Sequence, residues 1–387
     1  MTSAARRARF AVVMLFVLNG AWGGNVVPRL PAIKDQLALS NTELGIAIAA
    51  VPVGALVAGA LAGVIIHRLG SATTAVVSMG TIGVLLVGFG LAPSWEVLIT
   101  VYFLAGALDS VCDVAMNAHG LRVQRLYRRS IINGFHAWWS VGAVVGGLLG
   151  SAAEALAIAI WLHLLTAGLM LAVASLGIWR LLLPGHDATE RTDAHHGGSL
   201  RPVAGLLVAL GAITLMAAVV EDSPASWGAL FMINEVGAGA GVAGLAFVSC
   251  QAMQTVGRFV ADRAVQRFGD VAVARLGGAL ACVASALMLA LPSVPMTIVG
   301  FGLAGLGIAT IFPGTYHAAG NLPGIASGTG VAVVSFIARV GFLVSPPVVG
   351  LVSDLLGLRQ ALVIVPVAAL LIFVLAGALR PWISPGG

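Results

Sequence analysis

The chain alternates between long apolar runs and short polar breaks, and the runs recur twelve times. They fall at residues 10–27, 44–66, 72–91, 97–118, 135–153, 155–183, 203–230, 242–260, 271–291, 296–316, 325–351 and 361–379. Most come close to the ~20 residues an α-helix needs to cross the hydrocarbon core of a bilayer. Strict in–out alternation, the mark of barrel strands, is absent. Only helices and closed barrels satisfy their backbone polar groups in lipid. The pattern therefore predicts an all-α membrane protein with twelve transmembrane helices. Arg6, Arg7 and Arg9 precede a first run of full membrane length with no small-residue cleavage site, so that run reads as a span and not as a signal peptide.

The longest polar stretch is 184–202, between the sixth and seventh runs. It predicts an N-terminal six-helix bundle at 1–183, a linker at 184–202 and a C-terminal six-helix bundle at 203–387. His186, His195 and His196 lie in the linker, but a metal centre needs ligands held in place, and the composition is that of a flexible connector. No metal and no cofactor are expected. The two halves read as repeats. Ala21-Trp22-Gly23 in the first run matches Ser226-Trp227-Gly228 in the seventh, and the loops after runs two and eight carry His67-Arg68 and Asp262-Arg263. Ala105-Gly106 and Ala304-Gly305 match in runs four and ten. Two pseudo-symmetric bundles with a site between them are the architecture of secondary transporters.

Composition agrees. Hydrophobic residues make up 59% of the 387 and charged residues 9%, against roughly a quarter charged in soluble domains. Intrinsic disorder and a soluble fold are both excluded. The cysteines Cys112, Cys250 and Cys282 sit in apolar runs as small hydrophobes, with no disulfide framework. With the N-terminus placed in the cytoplasm, sixteen arginines lie at or near the inner face: Arg6, Arg7, Arg9, Arg68, Arg122, Arg125, Arg128, Arg129, Arg180, Arg191, Arg201, Arg258, Arg263, Arg267, Arg275 and Arg380. Arg29, Lys34 and Arg359 fall outside, and Arg339 lies within a run. This bias predicts a multi-pass inner-membrane protein with both termini cytoplasmic. The excess of base reports topology and not nucleic-acid binding.

Six plus six spans, a central linker and a Gly-x3-(Asp)-Arg-x-Gly type of loop after runs two and eight resemble the major facilitator superfamily, over the whole chain. Arg29-Leu-Pro31-Ala-Ile33-Lys34, Leu39-Ser40 with Leu44-Gly45, Asp113-Val-Ala-Met-Asn117, Phe135-His136-Ala137, and Glu221 with Trp227 resemble its MosC/YbjJ-like branch. The resemblance implies the major facilitator fold, transport by alternating access, and gate residues at His67, Arg68, Asp262 and Arg263. His67 stands where the superfamily loop has Asp, which implies a weaker first gate than Asp262-Arg263. Tyr102 stands where many proton antiporters have Arg, so that relay is not carried over.

The chemistry is sought in polar residues inside the runs, where each ionisable group is costly and faces the protein interior. Asp109, Asp113 and Asn117 stand at i, i+4 and i+8, on one helix face. Two carboxylates one turn apart repel, which favours proton uptake by one of them; the alternative is pairing with His136 or Arg339. The same Asp-x3-Asp spacing resembles membrane CDP-alcohol phosphotransferases, but the further upstream acids that reading needs are missing and only Glu96 is present. An enzyme is not expected. Glu221 and Asp222 precede Pro224, the expected break in run seven; they cannot both face a cavity, and Glu221 is the one assigned to it. His136 suits a proton shuttle. Arg339 is expected to pair with an intramembrane acid, the alternative being contact with an anionic group of the substrate. Proton-coupling candidates are thus Asp109, Asp113, Glu221, Asp222, His136 and Arg339. Asn19, Trp22, Asn25, Asn117, Trp138, Trp227 and Tyr316 are candidates for binding substrate. Glycine runs at 142–150 and 300–307 suit close helix packing, and no phosphate-binding Gly-x4-Gly-Lys-Ser/Thr loop exists.

The function expected is a monomeric, proton-coupled secondary transporter of a small solute, sugar- or polyol-like by the MosC resemblance. A multidrug exporter of the same fold and a non-transporting membrane sensor remain as alternatives.

Overall fold

The computed structural model describes residues 3–127, 131–185, 203–323, 325 and 327–380. Arg128, Arg129, and His186, His195 and His196 of the linker lie outside the described residues. The described residues form helices and turns and no strand. In chain order they are α1 (Ser3–Val26), α2 (Leu30–Gln36), α3 (Asn41–Leu69), α4 (Ser71–Leu91), α5 (Trp95–Tyr127), α6 (Ile132–Ala155), α7 (Ile160–Ile178), α8 (Ala204–Ser226), α9 (Gly228–Asn234), α10 (Ala240–Ala243), α11 (Leu245–Phe268), α12 (Asp270–Ala290), α13 (Val294–Ile308), α14 (Ile311–Gly320), α15 (Ser327–Leu356), α16 (Leu358–Ala361) and α17 (Ile364–Leu375).

Among the described residues, ten helical segments are long and apolar enough to cross a membrane. The runs at 135–153 and 242–260 correspond to α6 and α11, each of 24 residues and so about 36 Å long. Their hydropathy is diluted, by glycines and His136 in α6 and by Gln251, Gln254, Thr255 and Arg258 in α11. Together they complete twelve spans in an all-α membrane fold.

Several boundaries differ from expectation. The first span continues through a 3-10 turn at Val27–Arg29 into α2, because Pro28 and Pro31 each occupy an early helical position that tolerates a missing N–H. The tenth span is two helices, α13 and α14, interrupted at Ala309 and Thr310. The seventh runs through Pro224 and breaks three residues later at Trp227 (φ −127°), so the expected break at Pro224 itself is corrected. Proline removes one ladder bond, yet Trp227 N–H still reaches the Ser223 carbonyl at 2.9 Å and keeps the turn closed.

The chain divides into two compact units, one comprising Met1–Glu190 with Gly237–Val248, the other Arg191–Val236 with Ser249–Gly387. In unit one, α1 lies against α6, α3 against α5, and α4 against α7. The α1/α6 crossing is a backbone approach. A Cβ on Gly20 would run into the Trp139 carbonyl, and one on Gly142 into that of Val17. The α10 segment joins this unit through Gly241, seated on Ala155, and Gly244, seated on Ser151 and Pro28. In unit two, α8 packs against α15 and α17, and α12 against α13 and α17.

The internal repeat is visible in the backbone. Gly70 closes α3 with φ +80° and opens α4, and Gly269 closes α11 with φ +79° and opens α12. Each N–H returns to a carbonyl four residues back, Ile66 or Val265, at 2.8 Å. Only glycine adopts this conformation without strain.

Candidate functional site

In unit one the close α1/α6 crossing places Trp139 beside Asn19, and α5 presents Asp109 to the same place. Asp109 Oδ1 accepts the Asn19 amide at 2.7 Å and the Trp22 indole N–H at 2.8 Å. The Asn19 carbonyl in turn accepts the Trp139 indole N–H at 2.8 Å. Asp109, assigned to coupling, and Asn19 and Trp22, assigned to substrate, thus join Trp139 in one chain across three helices. Asn19 is buried; Trp22, Asp109 and Trp139 are half-buried. One turn along α5, the Asn117 amide donates to its neighbour Asp113, at 3.0 Å to Oδ1 and 2.9 Å to the backbone carbonyl. Asp113 and Asn117 are half-buried. Such a cluster can hold a polar solute between indole faces and a carboxyl, and can bind or release a proton.

Other candidates in unit one have different surroundings. His136 is exposed and meets Phe16 edge-on at 5.1 Å between ring centres. Trp138 is 47% exposed. Asn25 is buried and internally engaged: its amide donates to the Ala21 carbonyl at 2.8 Å, and its Oδ1 meets His163 Nε2 at 3.1 Å. Tyr102 is buried, its ring edge-on to Phe89. His67 and Arg68, at the end of α3, are exposed.

In unit two, Glu221 is half-buried and Asp222 buried. Asp222 Oδ1 accepts the Ser226 hydroxyl at 2.8 Å. Tyr316 sits beside Ser335, within the electrostatic reach of both Arg339 and Glu221. Arg339 is exposed and makes no ion pair within 4.0 Å among the described residues, which corrects the expected pairing. Trp227, expected in a cavity wall, is fully buried with its indole N–H unpartnered among the described residues; the helix break turns it into the packing. Asp262 and Arg263 are exposed on α11, and Asp262 has no hydrogen bond or ion pair among the described residues.

Several buried polar groups escaped the sequence reading. Arg29, expected as an outer-loop charge, is 2% exposed. Its Nη1 lies 2.6 Å from Glu154 Oε2, off the angle of a regular hydrogen bond, and its Nη2 donates to the Ile158 carbonyl. His119 is buried between the Ser71 hydroxyl at 2.9 Å and the Leu183 N–H at 3.1 Å. Gln251 and Gln254 on α11 are buried, and neither Gln254 amide atom has a partner among the described residues. A glutamine in an apolar run was the available signal.

Comparison with known proteins agrees with this architecture. A model of the Major Facilitator Superfamily matches residues 11–220 and 203–386. A transporter designated y4wD from Sinorhizobium fredii (strain NBRC 101917 / NGR234) is 28% identical over 365 residues, covering 94% of this chain and 96% of its own. The membrane protein MosC of Rhizobium meliloti is 27% identical over 365 residues, covering 92% and 86%. Among solved structures, the nucleoside transporter NupG superposes with a TM-score of 0.75 at 12% identity, over 98% of this chain and 100% of that one. A bacterial homolog of the human lysosomal transporter Spinster, inward-facing and occupied, gives 0.76 at 15% identity over the whole of both chains. The chain belongs to the major facilitator superfamily.

Proposed function

We propose that this major facilitator protein couples proton movement to the transport of a small, hydroxyl-rich solute of sugar or polyol type. The observation that carries the reading is the Asn19–Trp22–Asp109–Trp139 chain. It combines a carboxyl that can titrate with two indole rings on which the apolar face of a sugar ring can stack. Asp113 and Glu221 complete the set of coupling acids, with Asp222, His136 and Arg339 as their polar surroundings. Asn117, Trp138 and Tyr316 add substrate contacts. Asn25 and Trp227 act from the packing and not by touching substrate. Neutralising each acid by a proton lowers the cost of closing a dry cavity around it.

The proposed arrangement has a cytoplasmic N-terminus, C-terminus and 184–202 linker in an inner membrane, bundles at 1–183 and 203–387, and a single chain as the working unit. The loops at His67-Arg68 and Asp262-Arg263 gate the cytoplasmic side, the second more strongly through its carboxylate.

A second reading has a specific observation behind it. Asp109 with Trp22 and Trp139 also suits an organic cation, held by charge and by cation–π attraction. Purified protein in liposomes with an imposed pH gradient separates the two. Radiolabelled polyols and sugars, and separately quaternary ammonium dyes, are offered with and without the gradient. Gradient-driven accumulation of the first class supports the proposal. Accumulation of the dyes alone replaces it with the exporter reading, and no accumulation of either class defeats both.

A further inference from the structure

The seam between α8 and α15 in unit two contains a buried carboxyl whose charge no ion pair offsets among the described residues. Gly341 of α15 sits against Ala218 and the Leu215 carbonyl of α8. One turn further along each helix, Ser345 lies beside the Asp222 carboxyl. Asp222 is 8% exposed and Ser345 2%. Asp222 Oδ1 is occupied by the Ser226 hydroxyl at 2.8 Å. Asp222 Oδ2 and Ser345 Oγ are both buried, and neither makes a hydrogen bond of regular geometry among the described residues. Three side chains, all presenting oxygen, therefore converge with two of those atoms unsatisfied.

The charged or titratable groups on the helices packed against α8 are Arg339 and Asp354 on α15, and Tyr316 and His317 on α14; α9, α13 and α17 carry none. None forms an ion pair with Asp222 among the described residues. The neighbouring Glu221 acts on Asp222 with the same sign of charge. An uncompensated carboxylate at this depth is costly, so a positive charge must accompany it or the seam must open.

We propose that Asp222, Ser226 and Ser345 bind one small monovalent cation, a proton or a sodium ion, between α8 and α15. A bound proton sits on Asp222 Oδ2 and is donated toward Ser345 Oγ, while Ser226 keeps its bond to Oδ1. A bound sodium ion instead takes Oδ2 and Ser345 Oγ as hard oxygen ligands. One carboxyl and two hydroxyls supply one negative charge, which suits a single positive charge better than a divalent ion. The proton case deepens the coupling proposed above and rests on it, because Asp222 stands beside the coupling acids there; the binding itself is independent of solute.

The test uses the purified full-length protein in nanodiscs and no solute, so it stands apart from the transport assay. Binding of radioactive sodium ion is measured by scintillation proximity, and thermal unfolding is followed by tryptophan fluorescence from about pH 5 to pH 9. A sodium site gives saturable binding that Asp222→Asn abolishes and Ser345→Ala weakens about tenfold. A proton site gives no sodium binding but a melting temperature that varies with pH, and Asp222→Asn flattens that dependence. Glu235→Gln, on an exposed turn, leaves either signal in place. The proposal is overturned if wild-type protein shows neither signal, or if folded Asp222→Asn retains whichever signal wild type has. Should Asp222→Asn fail to fold, Ser345→Ala and Ser226→Ala decide, since both keep the carboxyl. Unchanged binding and an unchanged pH profile in both overturn the site.

Discussion

Asn19 donates its amide N–H to Asp109 Oδ1 at 2.7 Å while its carbonyl accepts the Trp139 indole at 2.8 Å, so one side chain joins α1, α5 and α6. The partners dictate which end of the amide points where. Asn19→Ala removes a bond from each and leaves the Trp139 donor without its acceptor. Loss of a partner costs about 1–3 kcal/mol for a fully buried polar group and less for the half-buried Trp139 and Asp109, which lowers the melting temperature of the purified protein. Asn19→Asp sets a second carboxyl against the first and repels it when both are ionised. Its deficit is therefore larger at alkaline than at acid pH. Thermal unfolding at two pH values reads both effects, and an Asn19→Ala protein as stable as wild type removes Asn19 from this role.

Asp109→Asn behaves differently. The new side chain keeps an acceptor where Oδ1 stood, so Asn19 and Trp22 retain their partner and the protein folds. The titratable charge is lost while both of these bonds are kept. We expect Asp109→Asn and Glu221→Gln to exchange solute across a liposome membrane at near wild-type rates, with accumulation driven by a pH gradient abolished. Asp113→Asn gives the same split if Asp113 titrates, but if it only holds Asn117 it gives reduced expression. Full gradient-driven accumulation in both Asp109→Asn and Glu221→Gln would end the case for coupling through these acids.

The Arg29–Glu154 pair permits a cleaner energetic test. Removing Glu154 strands Arg29 as a buried charge, a loss of about 3–5 kcal/mol, while removing Arg29 leaves the half-buried Glu154 partly solvated and costs less; replacing both by apolar residues of similar size is near neutral. Glu154→Leu is expected to fold poorly and Arg29→Met less so, and the double variant to recover most of the loss. Fluorescence size-exclusion profiles before and after heating measure all three. A double variant no better than the worse single one shows that the two side chains act independently.

The helices were legible because membrane length and hydropathy are properties of consecutive residues. A run such as 296–316 needs no distant partner to be recognised. Arg29 was not legible in that way. Beside Pro28 and Pro31 it reads as a loop charge, and its partner Glu154 is far away in the chain, brought to it only by the α1/α6 crossing. The same holds for the candidate site. Asn19, Trp22 and Asp109 were each visible as polar or aromatic residues in apolar runs, but their union depends on how α5 meets α1. The helix break shows a different limit. Pro224 marks the right neighbourhood, yet the hydrogen bond from Trp227 to Ser223 decides where the helix ends.

Topology is tested by cysteine accessibility. Arg125, near the end of α5, and Glu235, after α9, are both exposed, and the arginine distribution assigns them to opposite sides of the membrane. In intact cells an impermeant maleimide is expected to label Glu235→Cys and to miss Arg125→Cys until the membrane is permeabilised. Labelling of Arg125→Cys in intact cells would reverse the orientation.

The α1/α6 crossing links packing to the site. Gly142 lies against the Val17 carbonyl, and Gly20 against the Trp139 carbonyl, so neither position has room for a Cβ without parting the helices. Trp139 is one turn from Gly142 on α6, and its indole reaches Asn19 only while the backbones stay this close. Gly142→Ala adds one methyl group and Gly142→Leu a whole side chain. Overpacking costs about 1–3 kcal/mol and moves backbone, so stability falls in that order. Solute affinity falls with it, because the displaced indole leaves both the Asn19 carbonyl and the proposed stacking surface. Trp139→Phe separates the two effects: it removes the indole N–H with the helices still in contact. If Gly142→Ala loses affinity and Trp139→Phe does not, the crossing acts on the site through α1 and not through the indole. If neither loses affinity, the solute does not bind at Asn19, Trp22 and Asp109.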